Sequence, residues 1–238
     1  MCTASWKVEE GGYRFLFSRD EQRSRPRAEA PSVRREDGVT YLSPRDPQAG
    51  GTWVIVNEFC LTVAVLNHYA ASAGVATGLE FESRGLIPIN LATCRTLKEV
   101  DTRFRAIDLD RYNAFHLLVI DRSGEVILRT WDRSALKVWR PERRMITTSS
   151  VRSDEVQGYR EQLFDRIVNS SDRELLKLEQ FHLSAENSDL GFNPLMSRSD
   201  AETQCFGEIC VGEDRIDFKY SERVSDGAEF GPSSVISI

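Results

Sequence analysis

Cys2 follows the initiator methionine directly, and it is small enough for Met1 to be removed. Removal would place a thiol and a free α-amine on one carbon atom. The amine titrates at about 8 and an ordinary thiol at about 8.5, so at neutral pH part of the amine can accept the thiol proton with little further perturbation. Cys2 therefore predicts an amino-terminal cysteine nucleophile. The alternative is that a cysteine follows the start site by coincidence.

Three charged residues follow the next predicted strand, residues 13–17. Arg19, Asp20 and Glu21 lie just past the end of this strand, which could pair with the segment that starts at Cys2. Arg19 would then lower the pKa of the thiol by its opposite charge, and Asp20 would orient the α-amine or Arg19 itself. The alternative is a solvated strand end that carries ordinary surface charge.

Two asparagines lie in apolar, strand-like surroundings. Asn57 ends the run Trp-Val-Ile-Val-Asn, and Asn67 ends Val-Ala-Val-Leu-Asn. Acyl transfer needs donors for a developing oxyanion, and neutral amides suit this role because they bring no desolvated charge. An unpaired amide in such surroundings is unfavourable, so each asparagine needs a partner. The alternative for both is a structural role at a strand end or turn.

Metal and nucleotide chemistry find little support in the sequence. His68, His116 and His182 are far apart along the chain, and none pairs with a cysteine at a metal-ligand spacing. The glycine pairs at positions 11–12 and 50–51 predict turns and lack the remaining residues of a phosphate-binding loop. We therefore expect no metal site and no cofactor.

Composition narrows the class of protein. The chain has 238 residues, of which 40% are hydrophobic, and this predicts a single domain over residues 1–238. Its formal net charge of −6 argues against a nucleic-acid partner, so we expect a small-molecule substrate or ligand. Apolar runs are shorter than the roughly 20 residues of a membrane helix, and the start lacks the apolar core of a secretory signal. These features predict a cytoplasmic protein with no integral membrane segment.

The remaining four cysteines are interpreted as structural, because an odd total of five without an export signal makes a disulfide framework unexpected. Three of them lie in apolar or strand-like runs that favour small buried side chains. They are Cys60, Cys205 and Cys210; the fourth structural cysteine is Cys94.

Blocks of strands and helices alternate along the chain. β-Branched and apolar runs predict strands at 52–56 and 61–66, whereas 19–47, rich in proline and arginine, predicts a long loop. Helical spacing of apolar residues covers 84–107 and is followed by a predicted hairpin of residues 115–120 and 126–128.

The second half continues with two helices and ends in strands. Ser153 is predicted to cap the first helix, and residues 171–174 have the form of a capping box before the second. Strands are predicted at 204–211 and 215–220. Segregated blocks of this kind indicate an α+β layered sandwich with antiparallel sheets rather than an alternating parallel fold.

Seven short motifs occur in the order seen in the NRDE family, also known as the transport and Golgi organization 2 proteins. The chain resembles that family from Cys2 to about Tyr220. The motifs are Met1-Cys2-Thr3, Ser18-Arg19-Asp20-Glu21, Gly50-Gly51-Thr52-Trp53 with Asn57 and Asn67, Ser83-Arg84-Gly85, Tyr112-Asn113-Ala114-Phe115, Thr147-Thr148-Ser149-Ser150 and Asp200-Ala201-Glu202-Thr203.

The resemblance implies a four-layer αββα sandwich of the N-terminal nucleophile hydrolase type. It also implies a distant similarity to choloylglycine hydrolases and penicillin V acylases, in which a terminal cysteine is the nucleophile. Carried onto this sequence, the catalytic residues would be Cys2, Arg19, Asp20 and Asn67, with Asn57 as a second amide. Ser18 departs from the family pattern, which has asparagine there, so a hydroxyl must replace whatever hydrogen bond that amide makes.

Two functions follow as expectations. The first is a hydrolase that cleaves a nonpeptide amide or related acyl bond through an acyl-enzyme on Cys2. The second is a noncatalytic carrier whose arginine-rich segment, residues 23–35, grips an anionic lipid-like or haem-like ligand, since arginine suits carboxylate and phosphate groups. Ordinary solvated charge is the alternative for that segment.

Overall fold

The computed structural model describes residues 2–72, 80–168, 174–224 and 229–238. The strands there are β1 (Cys2–Glu9), β2 (Gly12–Gln22), β3 (Glu29–Glu36), β4 (Val39–Arg45), β5 (Val54–Asn57), β6 (Thr62–Asn67), β7 (Phe115–Ile120), β8 (Val126–Trp131), β9 (Leu136–Trp139), β10 (Met145–Thr148), β11 (Ala201–Val211), β12 (Ile216–Glu222) and β13 (Ser234–Ser237). The helices are α1 (Tyr69–Ser72), α2 (Leu86–Leu91), α3 (Leu97–Arg105), α4 (Ser153–Val168) and α5 (Glu174–His182).

The strands form two antiparallel sheets. The first has the order β10-β1-β2-β11-β12-β13, and the second has the order β3-β4-β5-β6-β7-β8-β9. In the first sheet β1 lies between β2 and β10, so the segment that starts at Cys2 has hydrogen-bonded neighbours on both sides.

The main core lies between the two sheets. Alternate residues of β1, Cys2, Ala4 and Trp6, pack there with Phe15 and Phe17 of β2. Successive side chains of a strand point to opposite faces, so the intervening residues of β1 and β2 face away from this core. This alternation decides which polar residues can meet between the sheets.

Helices cover the outer face of each sheet. Ile87 and Val100, from α2 and α3, are buried against the second sheet, whereas Leu163 of α4 and Phe181 of α5 pack with Leu16 on the first. The four layers are therefore αββα, and the predicted α+β sandwich with antiparallel sheets is confirmed.

The glycine pair at positions 11 and 12 forms the predicted turn, between β1 and β2. Gly11 has a φ of +79°, and a Cβ on Gly12 would lie 1.9 Å from the carbonyl oxygen of Val211. Glycine is required at both positions, at the first by backbone conformation and at the second by the close approach of β11.

The prediction of a loop over 19–47 is wrong. β2 continues to Gln22, and β3 and β4 then form a hairpin at the edge of the second sheet. β3 is an edge strand with largely exposed side chains, including Arg35 and Glu36, and an edge position also tolerates Pro31. The sequence did not predict this strand because proline and arginine are not typical of a buried strand.

Other element predictions are confirmed with changed boundaries. The helical region 84–107 consists of α2 and α3, and α3 begins after Thr96, whose side chain accepts from the backbone N–H of Glu99. α4 begins at Ser153 as expected, and α5 is present, but the predicted capping residues 171–173 lie outside the described residues. Besides β3 and β4, three strands were not predicted: β9, which is short and exposed, β10 and β13. Within the described ranges, no helix has the length and apolar character needed to span a bilayer.

Candidate active site

A cavity of about 760 Å³ opens at the edge of the sandwich where β1 begins and where β2 and β6 end. Its lining includes Cys2, Arg19 and Asp20 from the first sheet and Asn67 from the second. Antiparallel pairing explains this meeting, because the start of β1 must lie beside the end of β2. Four of the five predicted site residues therefore share one cavity.

Cys2 lies on the inner face of β1, opposite Arg19 on β2 and Thr148 on β10. It is 8% exposed, and its backbone N–H donates to Oγ1 of Thr148 at 3.3 Å. Burial raises the pKa of the Cys2 thiol to about 11, and the negative charge of Asp20 acts in the same direction, against the lowering effect of Arg19. The thiol is therefore protonated at neutral pH and needs a base, which is the role expected of the α-amine.

The guanidinium of Arg19 is held on several sides. Its Nη1 donates to Oε1 of Gln204 at 2.7 Å, and its Nη2 lies 3.2 Å from a carboxylate oxygen of Glu21 and 3.3 Å from one of Asp46. The group also lies over the ring of Trp53, 4.6 Å from its centroid. Arg19 is thus a fixed positive charge on the cross-strand partner of Cys2.

Asp20 is on the opposite side of β2 from Arg19, because adjacent strand residues alternate. Its carboxylate accepts a hydrogen bond from Oγ1 of Thr203 at 2.6 Å and lies 3.5 Å from Nη1 of the fully buried Arg160. The carboxylates that contact Arg19 belong to Glu21 and Asp46 instead. The structure therefore does not support the idea that Asp20 orients Arg19, whereas a role toward the α-amine stays a prediction.

Asn67 ends β6 and lines the cavity. Its Nδ2 donates to the hydroxyl of Tyr69 at 2.7 Å, and the second amide hydrogen has no acceptor among the described residues. One N–H of Asn67 is therefore available to a ligand in the cavity.

Asn57 is placed elsewhere and is fully buried. Its Nδ2 donates to the carbonyl oxygens of Ala92 and Cys94 at 2.9 and 2.6 Å, and its Oδ1 accepts from the N–H groups of Phe59 and Leu61. The amide has no hydrogen left for an oxyanion and does not line the cavity. We correct its assignment to a structural one: it closes the turn after β5 and ties the sheet to the α2 region.

Ser18 faces the helical layer. Its hydroxyl lies 2.7 Å from Nδ1 of His182, and the hydroxyl of Ser5 lies 2.9 Å from Nε2 of the same ring. A hydroxyl thus occupies the position where the resemblance leads us to expect an amide, and it is bonded to a buried imidazole rather than to the cavity.

A sequence model of the family described as "Transport and Golgi organisation 2" matches residues 1–210. The chain belongs to the transport and Golgi organisation 2 family. The resemblance expected from the motifs is thereby confirmed. No curated protein matches the sequence significantly.

Solved structures share the fold of this family member at low sequence identity. A variant of the conjugated bile acid hydrolase from Clostridium perfringens aligns with a TM-score of 0.55 and 13% identity, over 100% of this chain and 92% of that one. Penicillin V acylase from Agrobacterium tumefaciens aligns with a TM-score of 0.54 and 12% identity, over 100% and 86%. The Caenorhabditis elegans N-acylethanolamine-hydrolyzing acid amidase ortholog aligns with a TM-score of 0.57 and 10% identity, over 89% and 93%. At these identities the likeness shows a common N-terminal nucleophile hydrolase fold.

Two family motifs contribute to the cavity in ways that the sequence did not reveal. Gly51 and Gly85 pack backbone against backbone, so that a Cβ on Gly51 would lie 2.7 Å from the carbonyl carbon of Gly85. The N–H of Thr52 donates to the carbonyl oxygen of Gly85 at 3.0 Å. This contact brings Trp53 and Arg84 to the cavity wall. The motifs were visible in the sequence, but nothing there showed that they touch.

The arginine-rich segment of this family member is largely occupied by its own carboxylates. Arg23 and Arg27 contact Glu202 at 2.6 and 2.8 Å, and Arg25 contacts Asp46 at 2.7 Å. Arginines that already hold carboxylates are poorly placed to grip a separate anion. The observation weakens the carrier hypothesis in the form that relies on this segment.

Metal-ligating residues do not converge in the described parts of the chain, where no group of three or more His, Cys, Asp or Glu residues could hold an ion. His68 and His116 do approach each other, with ring centroids 4.4 Å apart. Burial lowers the pKa of His116 to about 3, so this ring is neutral at physiological pH. The two rings contact each other at a tilt of 32°.

Proposed function

We propose that this protein is a cysteine N-terminal nucleophile hydrolase that cleaves a nonpeptide amide or related acyl bond after removal of Met1. The observation that carries the proposal is the position of Cys2, at the start of an inner strand, on a large cavity, opposite the buried Arg19. The similar folds include an acylase, an acid amidase and a conjugated bile acid hydrolase, a range of names that agrees with this reaction class.

The first step of the proposed mechanism is proton transfer. A thiol with a pKa of about 11 does not ionise by itself at neutral pH. An α-amine on the same residue titrates at about 8 and would act as the general base. Thr148, which already accepts from the Cys2 nitrogen, would hold the amine in place. Arg19 would stabilise the thiolate by its positive charge.

The chemical steps follow from the positions of the remaining groups. The thiolate attacks the substrate carbonyl, and the free N–H of Asn67 donates to the oxyanion of the tetrahedral intermediate. The α-ammonium returns its proton to the leaving amine as the C–N bond breaks, which leaves a thioester on Cys2. A water molecule, deprotonated by the same amine, then hydrolyses the thioester and releases the acid and the thiol.

The proposal is tested first by the intact mass of the purified protein, which must show loss of Met1. Cys2→Ala is then compared with Cys205→Ala on a panel of aliphatic amides and esters. Cys205 is a matched control because it also pairs with Arg19, from β11, and is buried, with a pKa raised to about 12. We expect Cys2→Ala to lose at least about 10³-fold in turnover, in line with removal of a nucleophile, and Cys205→Ala to stay within a few-fold of wild type.

Mass spectrometry of rapidly quenched reactions should place the acyl adduct on Cys2. A protein that retains Met1, full turnover by Cys2→Ala, or an adduct on Cys205 would each reject the mechanism. If wild type and Cys2→Ala bind the panel equally and neither turns it over, the carrier hypothesis is the better description.

A further inference from the structure

The carboxylates that line the cavity are all matched by cations. Glu21 and Asp46 contact Arg19, and Asp46 also contacts Arg25. Asp20 lies 3.5 Å from Arg160, as described above. Glu82 forms an ion pair with Arg111. These pairs neutralise the acidic side of the cavity.

Arg84 differs from the other arginines of the cavity. Its Nη1 donates to the carbonyl oxygen of Ala114 at 2.9 Å, but no carboxylate within the described ranges lies within 4.0 Å of its guanidinium. Glu21 acts on this charge only at longer range, so Arg84 forms no direct ion pair among the described residues.

Arg84 is held in place by the backbone around it. The contact between Gly51 and Gly85 positions its main chain, and the bond to Ala114 fixes one end of its fork. Its remaining N–H groups have no acceptor among the described residues. A guanidinium presents a planar set of donors that matches carboxylate and phosphate oxygens.

Burial acts on this charge as well. Desolvation lowers the pKa of Arg84 from its ordinary value, yet a guanidinium stays protonated at physiological pH. A desolvated charge without a partner is unfavourable, and an anion bound beside it relieves that cost.

We infer that Arg84 binds an anionic group of the substrate, a carboxylate, sulfonate or phosphate, in the same cavity as the Cys2 thiol. The ligand is called a substrate because the inference rests on the proposed function. The inference adds the class of that substrate: acyl compounds that carry an oxyacid group. Arg84 selects these compounds by a charge-assisted, two-pronged contact, whereas Arg19 and Arg25 are occupied by carboxylates of the protein.

Binding in a variant that cannot turn over is the primary test. In the Cys2→Ala background, N-acylglycines are compared by calorimetry with the neutral N-acylglycinamides of the same chain length. Monoamides of dicarboxylic acids place the carboxylate on the acyl side instead. We expect at least one anionic series to bind about tenfold or more tightly than its neutral counterpart, which corresponds to about 1.4 kcal/mol.

Substitution of Arg84 then assigns the preference. Arg84→Gln should abolish it, and Arg84→Lys should retain part of it because the charge remains while the fork is lost. Arg95→Gln is the control, since the Arg95 guanidinium lies over the ring of Phe59 and does not line the cavity. Circular dichroism measures whether each variant is folded. If Arg84→Gln does not fold, Arg84→Lys is used for the test instead.

Equal affinity for charged and neutral ligands in every series, or a preference that survives in Arg84→Gln, overturns the inference. The two proposals fail separately. Turnover by Cys2 without any preference for anions rejects the role of Arg84 alone, whereas Arg84-dependent binding without turnover rejects the hydrolase mechanism and leaves the anion site standing.

Discussion

The two faces of the β1–β2 pair differ in whether their polar side chains border a cavity or are covered by other parts of the protein. On the face toward the second sheet, Cys2 and Arg19 border a cavity. On the face toward the helices, Thr3 and Ser18 are covered by α4 and α5, whereas the buried Asp20 pairs with Arg160 and also belongs to the cavity lining. The same short stretches of sequence supply both faces, because side chains alternate along a strand.

Arg160 of α4 shows how completely the helix-side face is closed. It is fully buried, donates to the hydroxyls of Thr3 and Thr147 and to the carbonyl oxygens of Phe192 and Asn193, and lies near Asp20. Asn67 on the cavity face retains an N–H that has no acceptor among the described residues. The difference indicates that the closed face holds the strands in register, while the open face is left incomplete for a ligand.

Arg160→Met tests the closed face and should have the largest effect on stability. Removal of the guanidinium breaks the ion pair between two fully buried side chains, so we expect a loss of about 3–5 kcal/mol in the free energy of unfolding. Denaturation by urea, followed by circular dichroism, measures it.

The double variant Arg160→Met, Asp20→Leu should recover part of this loss, because both buried charges are then gone. A single variant within about 1 kcal/mol of wild type would show that the closed face contributes less than its geometry suggests.

Asn67→Ala and Asn57→Ala make the same substitution at an asparagine that lines the cavity and at one that is fully buried. Asn67→Ala should lower kcat by about 10²–10³, the usual cost of a lost oxyanion donor, with little change in stability. Asn57→Ala removes an amide that makes four hydrogen bonds and should instead cost about 2 kcal/mol or more in stability. Rates are corrected for the folded fraction.

Loss of stability in Asn67→Ala with an unchanged kcat would place Asn67 among the structural asparagines. A fall in kcat of folded Asn57→Ala would return Asn57 to the list of catalytic candidates.

Acidification should affect the closed face through His182, and the effect per pH unit is smaller than that of either substitution pair. Burial, aided by the charge of Arg160, lowers the pKa of His182 to about 3 from an ordinary value of 6.5. The unfolded chain binds the proton first, so the contribution of His182 is complete above pH 6.5 and is lost as the pH falls toward 3.

The comparison of wild type with His182→Gln isolates this contribution from that of the carboxylates. As the pH falls from 6.5 to 3, the free energy of unfolding of wild type should decrease more steeply than that of the variant, by about 1 kcal/mol per pH unit. Identical slopes in the two proteins would mean that the ring is charged in the folded state.

Much of the site could be predicted from local sequence. Cys2 begins β1, Asn67 ends β6, and Arg19 and Asp20 lie in the last residues of β2; in an antiparallel pair the start of one strand lies beside the end of the other. Asn57 looked equivalent to Asn67 because both end apolar strands, yet only long-range contacts with Ala92 and Cys94 distinguish them. That residues 1–238 form a single domain and that the protein is cytoplasmic stay predictions.

The sequence by itself determined the layered α+β class, most of the inner strands and the family, since hydrophobic periodicity and ordered motifs are local properties of the chain. Tertiary structure decided which polar groups are paired within the protein and which remain available to a ligand. Arg25 and Arg84 each stand beside a proline or a glycine, but in the described part of the chain Arg25 contacts a carboxylate and Arg84 does not. Partners distant in the chain settle that difference, because charge is neutralised by neighbours in space rather than by neighbours in sequence.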